Sequence, residues 1–237
     1  MARRSKAAMD TARRFVRTGA PDRELALRHY GALAEKYHQR TETGDHFRRQ
    51  IVARLAPLPG EVILDVGCGT GLNFKAIRDG IGPSGRLIGV ELSPRMLDVA
   101  RARIERHGWA NVEVVEADVA EADIPTTADA ALLCAVHDVM RSPSALANVL
   151  DHLHDGARIV AGGPKWASWR RSDGLSSNFS TWRMNRQCVT TFEGFSRPWS
   201  HLEHFVEDIV VDEVFGGGGY IACAPCRRSG PAAAEAA

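Results

Sequence analysis

The chain has 237 residues, 44% of them hydrophobic, a formal net charge of +1 and five cysteines. That length supports one sizeable core and reads as a single domain. The near-neutral charge gives no overall nucleic-acid footprint, and an odd, scattered set of cysteines speaks for reduced thiols rather than a disulfide framework. No apolar run approaches the roughly 20 residues that span a bilayer, and the basic N-terminus lacks a hydrophobic signal core, so a cytoplasmic protein is expected.

Residues 1–28 set Arg3, Arg4, Lys6, Arg13, Arg14, Arg17, Arg23 and Arg28 against Asp10, Asp22 and Glu24. With few apolar side chains to bury, residues 1–20 read as a solvated, flexible arm. Its competing use is contact with nucleic acid or, peripherally, with an anionic membrane surface. Helical patterns follow over roughly 22–40 and 45–56, carrying Tyr30, Leu33, Tyr37 and Phe47.

Val62, Ile63 and Leu64 then lead into Asp65, and Gly67, Cys68, Gly69, Thr70 and Gly71 follow. This is a buried strand that ends in an acid and turns through three glycines into a helix. Glycines at alternate positions let the backbone adopt forbidden angles and approach a ligand closely, so a nucleotide-like cofactor is expected across the turn. The spacing departs from a dinucleotide fingerprint, because the third glycine comes one residue early and a carboxylate stands two residues before the first. Asp65 would repel a diphosphate and attract an ammonium group, such as the one on the amino-acid end of S-adenosylmethionine (SAM).

The string from Asp65 to Gly71 resembles motif I of the class I SAM-dependent methyltransferases. Further landmarks come in the order that this resemblance implies. A second strand, Arg86 to Glu91, places an acid twenty residues after Gly71, where it can accept from both ribose hydroxyls of an adenosine. Ser93 and Pro94 then open a helix as cap and first-turn proline, and Leu92 and Met96 offer apolar walls for the adenine, with core packing as the alternative. A third strand, Val112 to Glu116, leads to Asp118 and Val119. In the family, an Asp at this place binds the adenine amino group; a loop cap competes with that reading. The fourth strand runs from Ala130 to Cys134 and Ala135, and its carboxyl end must open on the same crevice, which adds Cys134 to the cofactor-binding set.

His137 and Asp138 follow that strand and are the candidate catalytic pair. His137 is the candidate base and Asp138 its orienting partner or a binder of a cationic acceptor; the alternatives for His137 are a backbone hydrogen bond or packing on the cofactor. His201 and His204 are secondary candidates. The family resemblance also implies lid helices ahead of the glycine turn, with Tyr37 as a lid aromatic; His38 replaces the Asp often paired with it in quinone-type and phospholipid-type members.

A helix from Ser142 to about His154 and a strand from Ala157 to Ala161 complete an alternating pattern. The expected fold is an α/β, doubly wound, mostly parallel Rossmann-like sheet. A C-terminal antiparallel hairpin is expected from Ile209–Phe215 and Tyr220–Ala224, joined by the glycines at 216–219. The domain is placed at 21–228, with 229–237 as a tail. Within it, residues 162–200 hold Trp166, Trp169, Trp182 and Trp199 and are the candidate acceptor pocket.

No metal is expected, since Cys223 and Cys226 lack two further ligands. The segments from His137 to Pro143, from Thr190 to Gly194 and from Arg197 to Trp199 are similar to small stand-alone enzymes related to quinone and phospholipid methyltransferases. The leading reading is methyl transfer from SAM to nitrogen or oxygen of a small-molecule acceptor, with no nucleic-acid partner. A phospholipid N-methyltransferase and a SAM-binding protein without methyl transfer are the alternatives.

Overall fold

The computed structural model describes residues 19–34 and 45–226. Helices α1 (Arg23–Leu33) and α2 (Asp45–Leu55) precede β1 (Val62–Val66), α3 (Phe74–Ile81), β2 (Arg86–Glu91), α4 (Pro94–His107), β3 (Val112–Glu116) and β4 (Ala128–Cys134). Then come α5 (His137–Met140), α6 (Pro143–Asp151), β5 (Leu153–Pro164), α7 (Gly174–Asn185), β6 (Val210–Val214) and β7 (Gly219–Pro225). The strands form one sheet in the order β3-β2-β1-β4-β5-β7-β6. The β1–β2, β1–β4, β2–β3 and β4–β5 pairings are parallel, and β7 runs antiparallel to both its neighbours.

Local signals in the sequence account for most boundaries. Ser93 and Ser142 each cap a helix whose first residue is proline, accepting from Met96 N and Ala145 N, and Gly108 ends α4 in the left-handed conformation. The hairpin expected at the C-terminus is present, turned by Phe215, Gly216 and Gly217 at positive φ. Its second strand inserts between β5 and β6, so β6 becomes the sheet edge. The helix expected to reach His154 stops at Asp151, because Leu153 already pairs with Ala128 as the start of β5. The lid helix expected over 22–40 ends at Leu33, and residues 35–44, with Tyr37, lie outside the described residues, as do most of the basic arm and the tail.

Strand alternation divides the core into two layers. Ile63, Leu87, Ala130, Leu132 and Val160 face α2, α3 and α4, meeting Ile51, Leu55, Phe74, Ile77 and Leu97. Leu64, Val66, Ile88, Val90, Leu133 and Ile159 face the other way, onto Leu146 and Val149 of α6 and Trp199, Leu202 and Val206. Since residues two apart share a face, Asp65, Glu91 and Cys134 all project on the α2–α4 side at the carboxyl ends of three adjacent strands. Gly89, opposite Asp65 in the β1–β2 register, leaves the space that Cys68 and Phe74 fill.

A Cβ at Gly89 would lie 2.7 Å from Cys68 Sγ and 3.0 Å from Phe74 Cζ. Gly89→Ala should therefore destabilise the protein by about 1–3 kcal/mol through overpacking, read as a fall of a few degrees in Tm by thermal unfolding. An unchanged Tm would show that this packing is looser than the geometry requires.

Candidate active site

The three glycines of the β1–α3 turn all take positive φ, yet they face different neighbours. A Cβ at Gly67 would meet Val136 Cγ1 at 2.5 Å and one at Gly71 would meet the Phe74 ring at 2.5 Å, whereas one at Gly69 would project into open space. Gly67 and Gly71 thus serve close packing, and Gly69 borders the crevice. Glu91 sits behind this turn, with its carboxylate accepting from Gly69 N at 3.1 Å and from Ser93 N at 2.8 Å.

Asp65 is buried, and its polar neighbour is the Asn73 amide, which donates to both carboxylate oxygens at 3.4 Å. Burial raises the Asp65 pKa to about 7 against the opposing Asn73 bond, and the Glu91 charge adds to the rise. Burial likewise raises the pKa of Glu91. Among the described residues no cation pairs with Asp65. Two further polar atoms of the turn, Thr70 Oγ1 and Asn73 Oδ1, are buried without a partner. Such groups are costly unless something else satisfies them.

Two guanidinium groups approach from the helices. Arg103 of α4 donates to Thr70 O at 3.1 Å, and its pKa is lowered by burial and by the charges of Arg106 and Arg48. Arg48 of α2, bonded to Asp45, also acts on the Cys134 thiol. Burial, with Asp65 adding to it, pushes that thiol up to about 12. Cys68 is buried in the α2–α4 layer and its thiol is likewise raised. Neither cysteine is a thiolate at neutral pH.

The remaining expected positions are placed as follows. Leu92 is half-buried and Met96 fully buried beneath α4. The Asp118 carboxylate accepts from Ala120 N at 3.0 Å and lies 3.7 Å from Arg23 Nε. The loop cap expected as its alternative role is thus present. The Val119 side chain packs in the core layer with Leu64, Val66, Ile88 and Val90. Trp199 is likewise core, against Tyr220 at 5.1 Å, and does not join the other tryptophans of its segment.

His137 follows Ala135, which takes a positive φ of 59° to turn the chain out of β4. The His137 Nε2–H donates to Glu193 O at 3.0 Å, and burial lowers the pKa to about 4. Nδ1 is left as a buried lone pair without a partner. The ring is therefore neutral, which removes the near-neutral pKa expected of a base, and it packs edge-on against Phe195 at 4.6 Å. The Asp138 carboxylate accepts from Thr190 N at 3.1 and 3.2 Å. Both residues tie the 189–195 segment to the end of β4. The same segment holds the lead into α1, since Asp22 N donates to Thr190 Oγ1 at 3.0 Å and Gly19 N to Glu193 Oε2 at 2.8 Å. Behind it Trp166, Phe192 and Phe195 stack with centroids 5.0–5.3 Å apart, a small core of their own. His201 and His204 neighbour each other and Arg141.

Cys223 and Cys226 cannot converge on a metal, as they pack on opposite layers of the sheet. Among the described residues no group of His, Cys, Asp and Glu is arranged to hold a metal ion. No helix among them is long and apolar enough to cross a membrane.

Residues 63–156 match the model of the methyltransferase domain family. The chain is 32% identical over 133 residues to an uncharacterized 37.1 kDa protein in a transposon of Streptomyces fradiae, covering 54% of this chain and 37% of that protein. It is 31% identical over 138 residues to an O-methyltransferase of Penicillium expansum, covering 56% and 49%. The chain thus matches between about a third and a half of the length of these relatives. Among solved structures, the N-methyltransferase NodS from Bradyrhizobium japonicum in complex with S-adenosylhomocysteine shares the fold with a TM-score of 0.53, at 16% identity over 76% of this chain and 86% of that one.

Residues 63–156 are thus similar to a methyltransferase domain, and the fold is one that SAM-dependent methyltransferases share. The family match ends before the aromatic segment at 162–200. The crevice suits SAM. It offers an anionic well at Asp65, an open approach at Gly69 and two unsatisfied polar atoms at Thr70 and Asn73.

The contrast between two glycines provides a test. Gly67→Ala should lower stability by about 2 kcal/mol or more, since strain at positive φ adds to the Val136 clash. Gly69→Ala should cost only about 1–2 kcal/mol of stability but weaken SAM binding at least tenfold. Thermal unfolding and titration calorimetry read the two separately. Equal effects on binding and folding for both variants would contradict the division of roles.

Proposed function

We propose that this protein transfers the SAM methyl group to nitrogen or oxygen of a small-molecule acceptor. The observation that carries the reading is the buried, cation-free Asp65 beside Glu91 at the mouth of the glycine turn. In this reading Asp65 receives the ammonium group, Glu91 the ribose hydroxyls and Asp118 the adenine amino group. Arg48, which sequence spacing does not single out, is near enough to Cys134 and Arg103 to take the carboxylate. When bound, SAM supplies an electrophilic methyl on a sulfonium, so the chain's task is to align an acceptor and exclude water. His137 and Asp138 act as positioning residues that hold the 189–195 segment, and with it the aromatic wall of Trp166, Phe192 and Phe195, over the carboxyl end of β4. The N- and O-methyltransferases named above support this acceptor range.

The direct experiment is incubation with methyl-labelled SAM and a small-metabolite extract, followed by mass identification of the labelled product. Label in a small molecule is the expected outcome; label confined to protein or RNA would contradict the acceptor class.

Asp65 also dictates a pH dependence. Its folded pKa of about 7 exceeds the ordinary aspartate value of 3.8, so the folded state binds the extra proton. The resulting cost to stability is absent below about pH 4, grows as pH rises to about 7, and levels off above it at roughly 4 kcal/mol. Asp65→Asn should therefore stabilise the ligand-free protein at pH 8 by a few kcal/mol while reducing SAM affinity at least tenfold. In the unaltered protein, affinity should fall by about tenfold per unit below pH 7 as the carboxylate takes up its proton. This limb should survive His137→Gln and vanish in Asp65→Asn. Its loss in His137→Gln would reassign the titration to the histidine.

A further inference from the structure

Helix α7 is inverted relative to the usual amphipathic pattern. Its polar Asn178 is buried, with the amide donating to Ala167 O at 3.1 Å and the side-chain oxygen accepting from Ala167 N at 2.8 Å. That polar anchor turns the apolar residues one turn apart outward, so Leu175 is 70% and Phe179 62% exposed, while Met184 is 61% and Trp169 49% exposed. A lone exposed leucine needs no explanation. Here four of the seven large hydrophobic residues that are exposed among the described residues fall within 169–184, and such clustering marks an interaction surface.

Glu213 of β6 lies near Arg171, but the charge that the 166–188 segment itself brings to this face is mainly positive. Arg170, Arg171, Arg183 and Arg186 surround it, and the one acid between 166 and 188, Asp173, is taken up by Arg171 at 3.0 Å. Arg183 and Arg186, with Met184 and Gln187, line a depression of about 300 Å³ at the end of the helix. The Arg186 guanidinium lies over the Trp182 ring at 5.1 Å, and Phe179 leans on that ring at 5.8 Å. A second copy of the chain fits this face poorly, since a two-fold contact would set arginine against arginine. Outward aliphatic side chains such as Leu175 and Met184 gain from hydrocarbon and not from stacking on bases.

We infer that the outward face of α7 docks on an anionic phospholipid surface, with Trp169, Leu175, Phe179 and Met184 entering the acyl boundary and Arg183 and Arg186 meeting lipid phosphates. Aromatic and aliphatic residues flanked by arginine are the composition that binds in the plane of such a surface. This goes beyond the methyl-transfer reading and stands without it.

The test is flotation of the full chain with vesicles of equal parts phosphatidylglycerol and phosphatidylcholine, and with phosphatidylcholine alone. Binding to the anionic vesicles, weakened by salt, is expected. Arg183→Gln with Arg186→Gln should weaken it by roughly ten- to thirtyfold, and Leu175→Ser with Phe179→Ser by at least tenfold. S-adenosylhomocysteine binding, measured by calorimetry, should stay unchanged in both variants. Quenching of tryptophan fluorescence by brominated lipid in the unaltered chain provides a reading that no variant can spoil by misfolding. Absence of flotation and quenching would overturn the proposal, as would undiminished binding in both variants, which would place the contact elsewhere in the chain. Loss of single-stranded RNA binding, rather than vesicle binding, in the variants would overturn it too. Failure of the unaltered chain to bind S-adenosylhomocysteine would sink the methyltransferase reading alone.

Discussion

Two carboxylates, Asp65 and Glu91, are buried side by side on one face of the sheet, and the arrangement of the rest of the crevice follows from accommodating them. Strand parity puts them there: Ile63 and Leu87 face the α2–α4 layer, so the residues two and four positions on must share that face at the carboxyl ends. Glu91 is satisfied by the backbone amides of Gly69 and Ser93. Asp65 has only the long contacts from Asn73. Burying an acid without a cation opposes folding, and a group retained at that cost is a marker of function rather than of stability. The same feature explains why the turn must carry glycine at 69, where any side chain would occupy the approach to the well.

The outer wall of the crevice is assembled from pieces far apart in sequence. Residues 19–22 bond to Thr190 and Glu193, His137 and Asp138 bond to the same segment, and Arg23 reaches Asp118 and Glu121 on the far side. Helix α1 also meets α4 through Arg95, which donates to Gly31 O. The ties of residues 19–23 and Arg95 are polar and partly solvent-accessible, whereas His137 and Thr190 are buried.

Much of this was legible in the sequence, for physical reasons that also explain what was not. Strand, acid and glycine turn lie within ten consecutive residues, and the Ser-Pro pairs at 93 and 142 carry their own capping chemistry, so fold and cofactor could be read locally. Residues that act across the chain carry no such signal. Arg48 and Arg103 are ordinary helix arginines until the fold brings them to the glycine turn, and Asn73 becomes notable only because it alone contacts a buried acid. The surroundings of His137 turned on a carbonyl 56 residues away, and burial lowered the ring's pKa against the opposing effect of that bond. The core layer that Val119 and Trp199 join depends on which face each segment presents, which its own residues do not say. The inverted α7 is illegible for a similar reason: no periodicity says that an asparagine, rather than leucine and phenylalanine, goes inside.

The central claim concerns the state of one carboxyl group, and carbon NMR of selectively labelled aspartate measures it directly. Followed through a pH titration, the Asp65 carboxyl should titrate near 7 in the ligand-free protein and fall below about 5 once S-adenosylhomocysteine brings its ammonium group into the well. A ligand-free value near the ordinary aspartate 3.8, or one that S-adenosylhomocysteine leaves unmoved, would contradict a buried well for the ammonium group at Asp65.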